Sequence, residues 1–317
     1  MSTSGRPRWY KPDTGLAARM VLTMFLLGLV YVIFGAILLK LGSGSGYTGF
    51  LIVIAAIIAI AQLFFADKIA LMSMGAQMVS EQQAPQLHDV VGRLAAQANL
   101  PKPQIAIVNS SIPNAFATGR NKDHAVIAVT TSLLNSLPPN ELEAVLAHEL
   151  THIINRDMLV MTIATFFSMV AALLVRNLYW IGLFGGFGGG YGGRRRNDEG
   201  TGFIIALLAS VVTYIVSFLL IRALSRYREL AADRGSALIT GAPSNLASAL
   251  LRISNTMDSR GIPQQDFRQA EAVNALFIVP ALKSDSLAVI FSTHPPIKER
   301  VARLEAMQKQ MEQAGKL

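Results

Sequence analysis

The stretch His148-Glu149-Leu150-Thr151-His152 reads H-E-x-x-H. On a helix, its two histidines lie on one face about one turn apart, so both imidazoles can reach one metal ion. Glu149 projects beside them, where it can take a proton from a metal-bound water. The stretch therefore predicts a catalytic metal site on a helix. The alternative is a helix with two unrelated surface histidines.

The residues around this stretch predict the helix itself. Pro138 and Pro139 suit a helix start, and Glu141 and Glu143 suit the positive end of the helix dipole. Apolar residues then repeat at helical spacing: Leu142, Val145, Leu146, Leu150 and Ile153. We expect the rest of the chain to be organised around this helix.

The composition indicates a membrane protein. Of the 317 residues, 52% are hydrophobic and 15% are charged, and the mean hydropathy is +0.42. The net charge of +8 fits basic clusters that face anionic lipid. A nucleic-acid partner is disfavoured because the basic residues flank apolar runs and form no groove-like pattern with aromatics. The chain has no cysteine, so histidine and carboxylate must hold any zinc, which suits a catalytic site.

Four uncharged apolar runs are each long enough to cross a bilayer, which takes about 20 residues. They cover residues 20–39, 47–66, 158–175 and 201–221. Basic residues in segment 1–19 precede the first run, so the positive-inside tendency places this segment in the cytoplasm and predicts a transmembrane hairpin at 20–66. The first run is long for a signal peptide and no clear cleavage site follows it, which favours an anchor.

The third and fourth runs predict a second membrane hairpin at residues 158–221. Between them, residues 182–200 are rich in glycine and arginine. The glycines follow no strand, so they predict a flexible linker and not a phosphate-binding loop. The positive charge of this loop on the outer side conflicts with the positive-inside tendency. A shallow hairpin is therefore the alternative to two full crossings.

Residues 67–157 and 222–317 are predicted to be the two halves of one catalytic domain. Strands are predicted at 105–108 and 125–130, with a short strand or a loop at 114–119. Helices are predicted at 87–98, 245–257 and 295–313. The expected fold class is a predominantly helical α+β integral membrane protein with four apolar membrane segments. Its small sheet packs on the active-site helix.

A catalytic zinc needs three protein ligands and one open position for water. One ligand is therefore required beyond His148 and His152, and it should be a carboxylate or a histidine from another segment. The remaining histidines are His88, His124 and His294.

Two carboxylates after the fourth run are stronger candidates for the third ligand. Glu229 and Asp233 lie four residues apart in a predicted helix, so both face one way. One can bind the metal while the other orients a ligand histidine through its second ring nitrogen. The alternative is a solvated acidic face that pairs with Arg226 and Arg228. Because an even number of crossings separates His152 from Glu229, both lie on the same side of the membrane.

The pattern His148-Glu149-Leu150-Thr151-His152, followed by Asn155-Arg156-Asp157, resembles the HtpX membrane metalloproteases. These are relatives of the CAAX prenyl proteases in the gluzincin group of zinc peptidases. The resemblance runs over most of the chain, from the N-terminal hairpin to Thr293-His294-Pro295-Pro296. It implies a zincin-like catalytic domain with one Zn²⁺ per chain. The Gly/Arg-rich loop departs from the family's pattern and has no assigned role.

The resemblance also implies roles for individual residues. Glu229 would be the third zinc ligand, and Asp233 would orient a ligand. Residues 114–118, beginning at Asn114, would form the edge strand on which an extended substrate adds. His294 and Arg300 would lie near the site and steady the oxyanion or the substrate backbone. The alternative for these two is a helix cap and a surface arginine.

We therefore hypothesise a multi-pass zinc endopeptidase of the bacterial inner membrane, with its site facing the cytoplasm. By resemblance, it would cleave misfolded or damaged membrane proteins in stress-related quality control. Two alternatives stay open: a dedicated processing protease with few substrates, and a zinc-binding membrane scaffold. A scaffold has no use for the free carboxylate of Glu149. A transporter is disfavoured because no charged residue lies within the four runs.

Overall fold

In the computed structural model of the chain, the described residues are 14–42, 57, 61, 64–185, 196–260 and 294–315. They fall into two compact units, which we call the sheet unit and the helical unit. The sheet unit holds the described residues of Phe65–Leu159 and Ser225–Leu317, with 14–18. The helical unit holds those of Arg19–Phe64 and Val160–Leu224. The segment before residue 14, most of the second predicted run and the glycine tract at 186–195 lie outside the described residues.

The secondary structure is mostly helical. The elements are α1 (Thr14–Gly42), β1 (Ala76–Met78), α2 (Pro85–Gln97), β2 (Gln104–Val108), β3 (Ala115–Thr118), β4 (Val126–Thr130), α3 (Thr131–Ser136), α4 (Pro139–Ile154), α5 (Asp157–Gly185), α6 (Arg196–Thr240), α7 (Pro243–Arg260) and α8 (Ile297–Ala314). Residues 64–73 are also helical, and a short 3₁₀ turn covers Lys122–His124.

Two described helices are long and apolar enough to cross a membrane. One is α1, and the other lies within Ile204–Thr240 of α6, where the apolar residues end at Ile221, before Arg222. The predicted run 158–175 lies in α5, which qualifies only when it is taken together with α4, for a total of three. Four crossings therefore stay a prediction, whereas a mostly helical membrane protein with a small sheet is confirmed.

Apolar side chains pack the helical unit internally. Five of them, from three helices, are buried together: Leu27, Tyr31, Ala164, Ile221 and Leu224. The Tyr31 hydroxyl donates to the carbonyl of Ala164, so this buried phenol is satisfied. Other large apolar side chains, such as Phe25 and Leu208, are exposed. Exposed apolar surface of this kind is expected where a helix contacts lipid.

The sheet unit contains a four-stranded sheet in the order β1-β2-β4-β3. The central strands β2 and β4 are parallel, and β1 and β3 pair antiparallel with them at the two edges. Side chains alternate between two faces. Ile105 and Ile127 face the core that α4 shares, whereas Ala106 and Ala128 face the other side, where Leu71 packs.

α4 lies in the main core of the sheet unit. Pro139 occupies its first turn and Glu141 lies there too, as the sequence predicts. Its apolar residues Val145 and Leu146 are fully buried in a core that also takes side chains from β2, β4, α2 and α7. Arg252 of α7 donates through Nε and Nη2 to the two Glu141 oxygens at 2.8 and 3.2 Å. The helix is therefore held in one rotational setting.

Within residues 114–119, Ala115–Thr118 form the strand β3, which lies at an edge of the sheet. Several short elements were not predicted, among them β1 and α3. β1 has only three residues, whose side chains are mostly exposed, so it shows no alternating pattern. α3 begins where the strand prediction ends, because the Thr130 side chain accepts a hydrogen bond from the Leu133 amide and caps a helix.

Candidate metal centre and active site

α4 turns the motif residues into the interior of the sheet unit. His148, Glu149 and His152 have exposed fractions of 0%, 3% and 8%. Leu150, between them in sequence, is buried in the core and fixes which face of the helix is presented. Two unrelated surface histidines are therefore excluded.

α6 contributes Glu229 and Asp233 from the part of the helix that belongs to the sheet unit. Both carboxylates are buried, with exposed fractions of 5% and 4%. The alternative of a solvated acidic face is thereby excluded, because buried carboxylates need cations or hydrogen bonds. The Ser236 hydroxyl donates to the Ala144 carbonyl at 2.7 Å and ties this part of α6 to α4.

His148, His152 and Glu229 form a group that can hold a metal ion, with one ligand atom from each within 4.8 Å of the others. His148 Nε2 lies 3.6 Å from Glu229 Oε2, and His152 Nε2 lies 3.5 Å from Glu229 Oε1. Two tetrahedral ligands of a zinc ion lie about 3.4 Å apart. The observed separations therefore suit a single zinc ion. No other such group occurs within the described ranges.

Among the buried atoms of this group that have no hydrogen-bond partner are His148 Nε2 and Glu229 Oε2, which lie 3.6 Å apart. Leaving a buried polar atom in this state costs on the order of 1–3 kcal/mol. A divalent cation bound between them would satisfy both atoms. Two imidazoles and one carboxylate are the donor set of a catalytic zinc site, which keeps an open position, and not of a closed structural site. The residues present therefore fit the metal.

Each of the two histidines turns its second ring nitrogen to an aspartate. His148 Nδ1 lies 3.1 Å from Asp233 Oδ1, and His152 Nδ1 lies 2.6 Å from Asp157 Oδ2. A carboxylate in this position fixes the ring orientation and the tautomer that leaves Nε2 as the ligand atom. The sequence predicted this position for Asp233 and gave no role to Asp157.

Each aspartate is in turn held by an arginine. Arg300 is fully buried, and its Nε and Nη2 donate to the two oxygens of Asp233 at 2.8 and 2.6 Å. Arg228 Nε lies 3.2 Å from Asp157 Oδ2. Arg300 is therefore not a surface arginine. The result is two chains of contacts: His148–Asp233–Arg300 and His152–Asp157–Arg228.

Sequence reasoning missed the second of these chains. Asp157 follows His152 by five residues, but α4 ends between them, and Arg156 adopts a positive φ of 56°. Helical spacing therefore gives no information on whether the two side chains meet. The one feature of the sequence that could have indicated this contact is the aspartate in the Asn155-Arg156-Asp157 stretch, which follows the motif closely.

His294 also enters the site. It is buried, and its Nδ1 lies 3.3 Å from Glu229 Oε2. Arg300 Nη1 lies 3.6 Å from the same oxygen. The N-cap of α8 is Pro296, so His294 does not cap that helix.

The buried charges shift the pKa values of the two oppositely charged groups in opposite directions. Burial lowers the pKa of His148, but Asp233 and Glu229 outweigh burial and raise this pKa to about 9. Burial would raise the pKa of Glu229, yet His294, His148 and His152 hold it well below its usual range. The carboxylates therefore favour positive charge at this place, which a divalent cation supplies when bound.

Glu149 behaves differently from Glu229. Burial raises its pKa above the usual value, although the charges of His148 and His152 oppose the shift. A carboxylate with a raised pKa is a better proton acceptor near neutral pH. The Ala117 amide, in the edge strand β3, also opposes the shift. Because α4 packs against β3, Glu149 lies near this edge of the sheet.

The remaining predicted residues lie outside the metal-binding group. Asn114 is fully buried just before β3. Its backbone N–H donates to Thr130 Oγ1 at 2.8 Å, and its backbone carbonyl accepts from the backbone N–H of Thr130 at 2.9 Å. His88 Nε2 lies 3.0 Å from the carbonyl oxygen of Val79. His124 is exposed in the 3₁₀ turn. Neither His88 nor His124 belongs to the metal-binding group.

An H-E-x-x-H helix, completed by a glutamate from a second helix, defines a metallopeptidase. Helices long enough to cross a bilayer place it among the membrane-bound ones. Residues 81–308 match the model of the family described as peptidase family M48. The chain belongs to this family, and the protein is a metalloprotease.

Relatives match over nearly the whole chain. A "Protease HtpX homolog" of Moorella thermoacetica is 52% identical over 301 residues, covering 95% of this chain and 97% of the relative. A "Protease HtpX homolog 2" of Methanosarcina mazei is 53% identical over 305 residues, covering 96% and 99%. The resemblance to the HtpX proteases is therefore confirmed.

The fold is similar to that of a solved structure. The crystal structure of S. mikatae Ste24p matches with a TM-score of 0.54 and 22% sequence identity, over 90% of this chain and 66% of that chain. At this identity, the match shows the shared fold.

Proposed function

We propose that this metalloprotease is a zinc endopeptidase that hydrolyses peptide bonds of misfolded or damaged membrane proteins at the cytoplasmic face of a bacterial inner membrane. The observation that carries the proposal is the buried group of His148, His152 and Glu229, with Glu149 beside it near the edge strand β3. A metal site without catalysis needs no free carboxylate at that place.

His148, His152 and Glu229 would hold the zinc ion, with one position left for water. When bound, zinc lowers the pKa of a coordinated water and polarises the carbonyl under attack. Glu149 accepts the proton that the attacking water releases and then delivers it to the leaving nitrogen. The raised pKa of Glu149 suits both steps, because the carboxyl must hold the proton briefly and then give it up.

The substrate would bind as an added strand on β3. β3 is an edge strand, and its partner β4 occupies only one side of it. α4 packs against β3 and the Ala117 amide lies near Glu149, so an extended peptide on the outer side of β3 would pass the proton acceptor. Pairing through main-chain bonds tolerates many sequences, which suits unfolded substrates. Asn114 would serve by fixing the start of β3 on Thr130.

His294 would donate a hydrogen bond to the developing oxyanion. Its place beside Glu229 Oε2 puts the ring next to a proposed metal ligand, where negative charge develops in the transition state. Arg300 is engaged with Asp233 through two hydrogen bonds. We therefore assign Arg300 a positioning role and not a contact with substrate.

Proteolysis of an unfolded model substrate by the detergent-purified protein tests the function. The samples are wild type, Glu149→Gln, chelated wild type, and chelated protein with zinc restored. We expect loss of cleavage by at least about 10²-fold in the variant, loss on chelation, and recovery with zinc. Equal cleavage by wild type and variant would show a contaminating protease. No cleavage by a zinc-loaded wild type would favour a narrow processing enzyme or a scaffold.

The membrane topology has its own test. We propose that all four apolar runs cross the membrane, which places both halves of the catalytic domain in the cytoplasm. The chain has no cysteine, so a single Gly189→Cys substitution gives one labelling site in the Gly/Arg-rich loop. Labelling by a membrane-impermeant reagent from outside supports two full crossings. Protection in intact cells, with labelling after lysis, supports the shallow hairpin.

A further inference from the structure

The sheet unit has a cavity of about 390 Å³ whose lining includes none of the proposed metal ligands. The turn between β3 and β4 lines one side, and the end of α4 with the first residues of α5 lines the other. We propose that this cavity binds a phosphate-bearing anion, supplied by the headgroup of an anionic phospholipid.

The rim of this cavity is basic. Arg120, Lys122 and Arg156 line it, against one acidic residue, Asp123. Arg120 and Arg156 are exposed, so both guanidinium groups can meet a ligand from outside. Arginine suits phosphate because its planar fork donates two parallel hydrogen bonds. The cavity therefore attracts an anion.

Side-chain hydrogen bonds hold the turn between β3 and β4. Arg120 Nη2 donates to His124 Nε2 at 2.8 Å, and His124 Nδ1 donates to Asn121 Oδ1 at 2.8 Å. His124 therefore contacts both Asn121 and the Arg120 guanidinium, which holds the guanidinium in place. Gly119 has φ +135°, and a Cβ there would lie 2.8 Å from Ala125 Cα. Only glycine fits at position 119, so the backbone conformation just before Arg120 is fixed.

The other side of the cavity is apolar and leads to the run 158–175, which we propose above to cross the membrane. Ile153, Met158 and Leu159 line it. Met158 and Leu159 begin the apolar run 158–175 within α5. A basic group next to the start of a membrane segment attracts anionic lipid. A basic rim with an apolar side matches a phospholipid, whose phosphate is followed by its glycerol and acyl chains.

Two other anions share this chemistry. Free phosphate would use the rim alone and gain nothing from the apolar side. An acidic side chain of a substrate on β3 could reach the cavity, because β3 runs directly into Gly119. The lipid is favoured because it uses both sides of the cavity.

Native mass spectrometry of the full-length, detergent-purified protein tests the proposal with phosphatidylglycerol and phosphatidylcholine of matched acyl chains. The test variant is Arg120→Gln/Lys122→Gln/Arg156→Gln. The control variant is Lys298→Gln/Arg303→Gln/Lys309→Gln on α8, which removes the same charge elsewhere. We expect phosphatidylglycerol binding to weaken on the order of tenfold to a hundredfold in the test variant and to stay near wild type in the control. Phosphatidylcholine should bind weakly to all three.

Two further measurements keep the result decisive. Bound zinc per chain reports whether the test variant has folded, and if it has lost zinc, Arg120→Gln alone takes its place. Equal weakening in test and control variants would show a general charge effect and overturn the site. Inorganic phosphate that binds with the same variant dependence and displaces the lipid would overturn the lipid as its source. Unchanged lipid binding, with a raised KM for an acidic peptide, would assign the cavity to substrate.

Discussion

Gly235 of α6 packs so closely on Thr151 of α4 that a Cβ atom at position 235 would lie 2.5 Å from Thr151 Oγ1 and 2.9 Å from Thr151 Cβ. Thr151 is itself fixed, because its hydroxyl donates to the Ala147 carbonyl at 2.9 Å. Thr151 lies between the two motif histidines, and Gly235 lies just after Asp233. This contact therefore sets how near the carboxylates of α6 come to the imidazoles of α4.

Replacing Gly235 with alanine should push the two helices apart. We expect Gly235→Ala to cost about 1–3 kcal/mol of stability through overpacking and to weaken zinc binding as the ligand atoms separate. Competition with a chromophoric chelator measures the zinc affinity, and thermal unfolding measures the stability. The Thr151→Ala/Gly235→Ala double variant should recover part of both losses, because it removes Thr151 Oγ1 and Cγ2, two of the three Thr151 atoms that the new Cβ would meet.

Gly92→Ala is the matched control for this prediction. Gly92 also lies within a helix, α2, but a Cβ there would meet nothing nearer than Lys102 Cδ at 3.7 Å. Alanine should be neutral or stabilising by up to about 1 kcal/mol at this position. Equal zinc affinities for the two alanine variants would show that the contact at Gly235 does not set the ligand geometry.

Local spacing was enough to predict the parts of the site that lie within one helix. His148 and His152, and likewise Glu229 and Asp233, are four residues apart, and helical geometry alone places each pair on one face. β2 and β4 are β-branched-rich and buried, so their composition predicts strands. These features need no knowledge of the rest of the chain.

The contacts behind the ligands could not be predicted in this way. Arg300 and Asp233 are 67 residues apart in sequence. Their contact therefore depends on how α8 packs, which local spacing does not predict. The contact between His152 and Asp157 spans the break between α4 and α5, where Arg156 has a positive φ that is uncommon for a residue other than glycine. β1 has three residues that are mostly exposed, so its place in the sheet beside β2 cannot be predicted from an alternating pattern.

The aspartate behind His152 should control zinc affinity more than turnover by bound enzyme. Asp157→Asn removes the charge that orients His152 Nδ1 at 2.6 Å. We expect zinc affinity to fall about 10–100-fold, with much of the activity restored at saturating zinc. Chelator competition gives the affinity, and a zinc titration of activity separates binding from chemistry. Asp89→Asn, an exposed position on α2, should leave both unchanged; a similar loss there would point to a general effect of charge.

Arg300 should contribute strongly to stability. It is fully buried against Asp233, so Arg300→Gln leaves a buried carboxylate without its cation. Breaking such a pair costs about 3–5 kcal/mol. Arg300→Lys should lose less, because the charge remains but the two-point contact does not. Thermal unfolding in detergent measures both variants.

Arg303→Gln on the same helix provides the comparison for Arg300. Arg303 is 39% exposed and pairs with Glu299 at 3.2 Å. An exposed pair of this kind is worth about 0–1 kcal/mol. If Arg300→Gln and Arg303→Gln unfolded at the same temperature, the buried arginine would not be needed to balance Asp233.

Metal removal should destabilise the protein through the same residues that bind the metal. Chelation leaves His148 Nε2 and Glu229 Oε2 buried without hydrogen-bond partners, whereas zinc at about 1,000 times its Kd would add about 4 kcal/mol of stability. We expect the melting temperature to fall on chelation and to recover with zinc, in wild type and in Glu149→Gln alike. Glu229→Gln should lose most of this zinc-dependent shift, because one ligand is gone while the proton acceptor stays. A full zinc-dependent shift in Glu229→Gln would mean that the stabilising zinc binds elsewhere, and loss of the shift in Glu149→Gln would mean that this carboxylate supports metal binding and not only proton transfer.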